Sequence, residues 1–405
     1  MKIWFVSHYS MPPQYEMRVK TQMYAHFLNE MGHETKIFSA STIHNTDINL
    51  ITDSSLYVER KYDDLDFVHI KCDNYSGNGI KRILNMQQFA NKFSTVAKKF
   101  EQPDVVVADA NCTNYMPIYK YCKKRNIPFY VDVRDLWPES IVEYYGFKKS
   151  NPIIKYLYHK EKCMYKQATG IIFSMEGGKD YIKDKGWNDI DFNKVHYINN
   201  GVNVEEFYDN IKKYPYIDED LSESNVYKIV YAGSIRTANN LMSVVEAARL
   251  LNGHKDIRFF IFGDGDDKAN LEKYCDSIAL KNVYFKGNVE KRYIPSILKQ
   301  CDLSILNYKK ANTHKYGGSQ NKLFEYLAVG NPVLMTVDVN YNVVSKRNCG
   351  IVLDEPDPQK IANAILELYN MSLEEKKIIG DNAKNVALEY DYKNLTDKLL
   401  AIIQQ

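Results

Sequence analysis

The sequence predicts an α/β protein built from two doubly wound, mainly parallel sheets. Three observations carry this reading. The chain has 405 residues. Short apolar runs alternate with longer helical patterns along it, and a polar, acidic stretch at 206–225 interrupts the alternation before it restarts. A chain this long exceeds one ordinary core and fits two domains of about 150–200 residues each.

The strand candidates of the first half are KIWFVS (2–7), ETKIFSA (34–40), FVHIK (67–71), DVVVAD (104–109), PFYVDV (128–133), GIIFSM (170–175) and VHYINN (195–200). After FYDNIKKYPYIDEDLSESNV, read as a linker, come YKIVYAG (227–233), IRFFIFGDG (257–265), NVYFKG (282–287), LSILNY (303–308), NPVLMT (331–336) and CGIVLD (349–354). The domains expected are 1–205, then 206–385 with the linker included, and a C-terminal helix at 386–405. SLEEKK from Ser372 offers a helix cap and an acidic first turn. Two such sheets are expected to leave a cleft at the carboxyl ends of their strands, so function is sought in the loops after strands.

Composition is that of a soluble globular protein, with 45% apolar and 26% charged residues. The 13% aromatic share, led by 32 tyrosines, suits stacking or sugar-facing surfaces without choosing between them. Net charge is +2, with 27 Lys+Arg against 23 Asp+Glu up to residue 200 and 26 against 28 beyond it. A nucleic-acid binder would be far more basic, so no nucleic-acid partner is expected. The seven cysteines show no CxxC spacing and the N-terminus has no signal-peptide plan, which points to the cytoplasm. No apolar run approaches the ~20 residues that cross a bilayer, so membrane contact would be peripheral. Helical stripes at 78–100 and 148–166 mix apolar, aromatic and basic residues. They fit either a core-facing helix or a membrane surface.

Five loops hold the candidate chemistry. The first strand-to-helix turn carries His8, Arg18 and Lys20 but no GxGxxG, which removes the main support for a nicotinamide or flavin site. Arg18 and Lys20 are open to an anionic ligand or to solvent. VDVRDLWPES places Arg134, Asp135, Trp137 and Glu139 at a strand end, where charges are used or paired. YAGSIRTANN puts Gly233, Ser234 and Arg236 before a helix whose amide end favours phosphate, with a plain surface arginine as the rival reading. IFGDGDD supplies Gly263 and Asp264, near a base or ribose or simply in a turn. GGSQNKLFEYLAVGNPV sets Gly317 and Gly318 before Ser319, expected as the helix cap, with Lys322 and Glu325 three apart on one face. A carboxylate there accepts two hydrogen bonds from a vicinal diol such as ribose. NNGVNVEEF (199–207) reads as a turn at the domain junction.

Taken in order, DLWPES, NNGVNVEEF, IVYAGSI, IFGDGDDKANLE, NVYFKGNVEKRYIPSILKQCDLSIL and NKLFEYLAVGNPVLM resemble the successive motifs of family 4 (group 1) glycosyltransferases of the GT-B fold. The similarity is to bacterial polysaccharide and N-acetyl-fucosaminyl transferases, and it covers nearly the whole chain. It implies two Rossmann-like domains facing each other across a cleft, with a C-terminal helix packing back on the first. It also implies metal-independent, retaining transfer from a nucleoside diphosphate sugar, UDP-sugar favoured, to a lipid-linked or oligosaccharide acceptor. The sugar would be a hexose or an N-acetylated hexosamine. No cofactor is expected, and a peripheral contact with the cytoplasmic face of the inner membrane is.

Carried over by position, the donor would meet Gly233, Ser234, Arg236, Gly263, Asp264, Gly317, Gly318, Ser319, Lys322, Leu323 and Glu325. The acceptor would meet His8, Arg18, Asp135, Trp137 and Glu139, with Arg134, Asp135, Arg236 and Lys322 as catalytic groups. The sequence departs from the family in three places. Gly317 stands where the first acid of Glu-x7-Glu is usual, Arg236 is displaced from its usual place, and Arg134 and Asp135 occupy the region of a common active-site histidine. A sugar-nucleotide epimerase or dehydrogenase is a second reading, weakened by the missing glycine and YxxxK patterns. A non-catalytic binding homologue is a third.

Overall fold

The computed structural model describes residues 1–405 except 16–18, 45, 78 and 110. It divides into two compact units, Met1–Asn199 with Tyr392–Gln405, and Asn200–Asp391.

Among the described residues the first unit holds an eight-stranded sheet. Its strands are β1 (Lys2–Ser7), β2 (Glu34–Ala40), β3 (Tyr57–Tyr62), β4 (Leu65–Ile70), β5 (Val105–Asp109), β6 (Phe129–Val133), β7 (Gly170–Phe173) and β8 (Val195–Tyr197). Their spatial order is β3-β4-β2-β1-β5-β6-β7-β8. All neighbours run parallel except β3 and β4. Parallel strands covered on both faces read as unbroken Val, Ile and Phe runs, and here those residues are buried. The edge strand β3, YVERKY, went unread in the sequence because its charges hide the apolar pattern. It returns through a tight turn at Asp63 (φ 52°) and pairs Arg60 with Phe67. Charges on an exposed edge also discourage pairing with a second sheet.

The terminal helix Tyr392–Ile403 belongs to the first unit. Leu395, Leu399 and Ile403 are buried, the Tyr392 ring packs edge-on against Tyr24 at 6.2 Å, and the Tyr130 hydroxyl donates to the Ile402 carbonyl at 3.1 Å. It is separate from the helix Leu373–Glu389 that precedes it, whose Ser372–Glu375 capping box is the one its sequence predicts.

The second unit holds, among the described residues, the strands β9 (Tyr227–Ala232), β10 (Ile257–Phe262), β11 (Val283–Gly287), β12 (Leu303–Leu306), β13 (Val333–Met335) and β14 (Gly350–Val352). They are parallel throughout, in the order β11-β10-β9-β12-β13-β14. The expected linker is largely helical instead. Val204–Lys213 forms a helix capped by Asn203, whose Oδ1 accepts from Glu206 N–H at 3.2 Å. Glu205 and Glu206 sit at its positive end and Lys212 and Lys213 at its negative end, a charge order that stabilises a short helix. Val204, Phe207 and Leu221 join the core of this unit. Apolar contacts too sparse to show a period still fix the segment.

Candidate active site

The second sheet reverses its strand order between β9 and β12, and ligands of open α/β sheets settle beyond the strand ends at such a point. Gly233, directly after β9, has φ 153°, and a Cβ there would collide with Nζ and Cε of Lys322. Glycine at this position lets an ammonium lie over the strand end. A Cβ on Gly263 would likewise run into the Gly233 carbonyl, because the loops after β9 and β10 continue side by side. Gly233 N–H donates to Phe262 O at 2.9 Å and Ile235 N–H to Asp264 O at 2.8 Å. Asp264 itself is exposed and its carboxylate accepts from Gly265 N–H at 2.8 Å, the chemistry of a turn.

Lys322 is the second residue of the helix Asn321–Val329. Its Nζ donates to the Tyr231 hydroxyl at 2.8 Å and lies 4.1 Å from the centre of that ring. Tyr231 passes the contact on, donating to the Ser234 carbonyl at 2.8 Å. Asn239 also donates to Ser234, at 2.6 Å to the carbonyl and 3.1 Å to the hydroxyl, so the loop after β9 is held from two sides. Enclosure by the chain pushes Lys322 down to about 7, with the Glu325 charge opposing. Arg236 is exposed, and its guanidinium makes no hydrogen bond or ion pair with a described residue.

The helix cap differs from the expectation. Gln320, not Ser319, occupies the N-cap, and no side chain caps the helix. The Ser319 hydroxyl is taken by the Asn200 side-chain amide at 2.8 Å, and the same nitrogen donates to the Ser319 carbonyl at 2.7 Å. The amide end of the helix is therefore left uncapped, the arrangement that favours an anion. Ahead of it, Gly317 has φ 100° and closes the turn Asn312–Tyr316, its N–H donating to His314 O at 3.0 Å. A glutamate in this conformation would be strained, so the loop is shaped for glycine where the family pattern has its first acid. Gly318 is half-buried beside it. Leu323 turns into the core of the unit with Phe324 and Leu327, because it lies on the apolar side of the helix.

Glu325, one turn further in, retains 20% side-chain exposure, and its Oε1 is 3.8 Å from Lys291 Nζ. Burial raises its pKa, Lys291 and Lys322 pull it back, and Glu206 adds a further push upward. The helix is anchored from behind by Tyr326, whose hydroxyl accepts from Ala232 N–H at 2.9 Å and donates to Ala232 O at 3.3 Å.

In the first unit the strand order reverses between β1 and β5. A pocket of about 110 Å³ opens there, lined by His8, Tyr9, Arg82, Asp109, Arg134, Asp135 and Trp137 among others. His8 Nε2 lies 2.5 Å from Asn85 Oδ1. The Asn85 amide nitrogen donates to the Asp73 carbonyl at 2.6 Å, so its oxygen faces the ring and His8 donates through Nε2. Arg134 binds Asp132 (Nε to Oδ2, 2.9 Å), Asp109 (3.5 Å) and Thr21 (2.5 Å). Asp132 also receives Lys20 at 3.0 Å. Burial pushes the Asp132 carboxyl up, but Lys20 and Arg134 hold it below the usual range.

Two expectations change in this unit. Lys20 does not face a ligand: it is buried, its ammonium taken by Asp132, Ser174 and the Ile198 carbonyl. Glu139 does not reach the pocket, because it is buried against Lys149 and Lys185 with Tyr158 donating to it. Although burial pushes it up, these contacts bring it to about 2. Arg18 lies outside the described residues.

Sequence reading missed Asn200, Tyr231 and Lys291. Each meets its partner across a long stretch of chain, 119 residues for Asn200 and Ser319 and 91 for Tyr231 and Lys322. Only the tertiary packing of loops and helix brings them together, and the basic pair after β11 in NVEKRY was the one local hint of Lys291.

Residues 216–386 match the family described as Glycosyl transferases group 1. The chain is 33% identical over 110 residues to a protein of Escherichia coli (strain K12) named as the putative colanic acid biosynthesis glycosyl transferase WcaI, covering 27% of this chain and 26% of that one. It is 27% identical over 144 residues to the putative teichuronic acid biosynthesis glycosyltransferase TuaH of Bacillus subtilis (strain 168), covering 35% and 34%. The matches thus span about a quarter and a third of those relatives' length. A solved Anabaena structure, Alr3699/HepE in complex with UDP and glucose, agrees over 100% of both chains with a TM-score of 0.71 at 13% identity, a likeness of fold. Residues 216–386 are thus a Glycosyl transferases group 1 domain, in a chain whose fold is GT-B.

Proposed function

We propose that the protein transfers a sugar, a hexose or an N-acetylated hexosamine, from a nucleoside diphosphate donor to a lipid-linked or glycan acceptor in bacterial surface-polysaccharide synthesis. UDP-sugar is the favoured donor. The observation that carries this is the placement of Lys322 over Gly233 at the end of β9, with Glu325 one helical turn away and an uncapped amide end between them. The names of WcaI and TuaH support the pathway class, and the HepE complex supports UDP as the nucleotide.

In this reading Glu325 accepts the two ribose hydroxyls, and the uncapped amides of the helix start face the diphosphate, bordered by the backbone of Gly317, Gly318 and Ser319. Lys322 and Arg236 neutralise the charge that grows on the diphosphate as the glycosidic bond breaks, so the transfer is metal-independent. Ser234, Gly263 and Asp264 border this donor site. The acceptor is assigned to the first unit, at His8, Asp135 and Trp137, with Arg134 and Asp135 as its catalytic groups. Retention of configuration follows the family reading.

Attachment is assigned to three helices of the first unit. Ile80–Ala97, Tyr115–Lys124 and Pro152–Gln167 carry ten Lys and Arg and a single acid, Glu161, which is buried. Ile80, Leu84, Ile153 and Tyr156 are exposed on the first and third of them at 75, 57, 69 and 59%. Apolar side chains ringed by cations fit the interface of an anionic bilayer.

The nucleotide half is tested by thermal-shift and calorimetric titration with UDP, GDP and ADP. One of them, UDP foremost, should raise the melting temperature. Glu325→Ala should weaken its binding by about 1.5–3 kcal/mol, the range for a lost charged hydrogen-bonding group, without lowering the unliganded melting temperature. Equal affinity in the variant would remove Glu325 from the site.

A further inference from the structure

We propose that Lys291 is a positioning residue of the nucleotide site: from the turn after β11 it keeps Glu325 a carboxylate, so that both oxygens accept from a ribose diol. The inference rests on the ribose role given to Glu325 above and adds a residue, and a pH dependence, to it.

Glu325 sits in a partly buried position, where a carboxyl group favours its neutral form. A neutral carboxyl must donate through one oxygen, whereas a vicinal diol that donates twice needs two accepting oxygens. Something must therefore hold the charge. Among the described residues, Lys322, Glu206 and Lys291 are the charged groups that act on Glu325. From its own helix comes Lys322, but that ammonium is drawn toward the end of β9, donating to Tyr231 at 2.8 Å. From the helix Val204–Lys213 comes Glu206, whose like charge works against ionisation. From the turn Lys291–Tyr293 comes Lys291. Arg292, its neighbour, is engaged by Glu290 instead.

The distance matters as much as the charge. At 3.8 Å the Lys291 ammonium is within ion-pair range of Glu325 Oε1 but beyond a hydrogen bond. It can favour the charged form electrostatically without occupying the lone pairs that the diol needs. A closer, bidentate partner would stabilise the carboxylate and block it at once. Lys291 is itself 38% exposed by side chain, so it is not needed for the core and its substitution should leave the fold intact.

The test is calorimetric titration of the full-length protein with UDP-glucose, whose diphosphate has no ionisation between about pH 5 and 9, repeated with GDP-glucose and ADP-glucose. Wild type, Lys291→Met, Lys291→Arg and Glu325→Gln are compared across that range. Wild-type affinity should fall on the acid side. Lys291→Met should move that acid limb up by about one pH unit, giving about tenfold weaker binding near pH 6 and near-wild-type binding near pH 8. Lys291→Arg should restore the wild-type profile. Glu325→Gln should bind weakly at every pH and lose the acid limb. An unchanged profile in Lys291→Met, or a loss of the same factor at every pH, would overturn the role of Lys291 while leaving Glu325 in place. Wild-type affinity in Glu325→Gln, or no binding of any of the three donors by wild type, would overturn the ribose reading itself.

Discussion

At the scale of single residues, the proposed donor site turns on a lysine held near its titration point. Lys322 is kept at about 7 by burial, while an unfolded chain keeps a lysine near 10.5. Between those values the unfolded state binds the extra proton, so this group's contribution to stability rises with pH across that window. Ligand binding runs the other way. A diphosphate prefers the ammonium, so affinity for UDP-glucose should fall as pH rises past about 7, and binding at pH 8 should take up about one proton. Calorimetry in two buffers of different ionisation enthalpy reads that uptake directly, and Lys322→Met should abolish it. Uptake unchanged in the variant would place the titrating group elsewhere. Gly317 belongs to this scale too. Its positive φ gives a backbone reason for its place in the motif, one a sequence pattern cannot carry, since the pattern records only that an acid is missing.

At the scale of elements, most of the parallel strands were legible because burial writes them as short runs rich in Val, Ile and Phe. β3 was not, since an exposed edge strand with Glu59, Arg60 and Lys61 carries no apolar run. The helix Val204–Lys213 was not, since it buries only Val204 and Phe207 and otherwise reads as polar. The cap of the helix Asn321–Val329 was misread for a different reason: Ser319 has the right chemistry, but Asn200, far off in sequence, claims its hydroxyl. The helices Ile80–Ala97 and Pro152–Gln167 were read with two alternatives open, and their buried and exposed faces show why both had support. Phe89, Phe93, Ile154 and Met164 pack inward, while Ile80, Leu84, Ile153 and Tyr156 face out among lysines. Co-sedimentation with vesicles of anionic and of neutral phospholipid tests the outward face. Binding should be confined to anionic vesicles, weaken with salt, and drop several-fold in the double variant Ile80→Asp, Ile153→Asp. Equal binding of that variant, or of both vesicle types, would count against this surface.

At the scale of the whole molecule, the two sheets reverse their strand order at β1/β5 and at β9/β12, and the candidate residues gather at both places. That much followed from alternation and from the rule that loops after strands carry function. The exclusions followed only from packing. Lys20 and Glu139 stood in suggestive loops, yet Lys20 is consumed by buried Asp132 and Glu139 by Lys149 and Lys185, and no local pattern distinguishes a lysine that faces a ligand from one that neutralises Asp132. The central claim is sugar transfer from a nucleoside diphosphate, with Lys322 stabilising the departing diphosphate. It is tested most directly by nucleoside diphosphate release from UDP-, GDP- and ADP-sugars in the presence of lipid-linked acceptors. Acceptor-dependent release from at least one donor, UDP-sugar foremost, is predicted, falling about 10²–10³-fold in Lys322→Met. No acceptor-dependent release from any donor by the folded protein, or undiminished release in Lys322→Met, would contradict it.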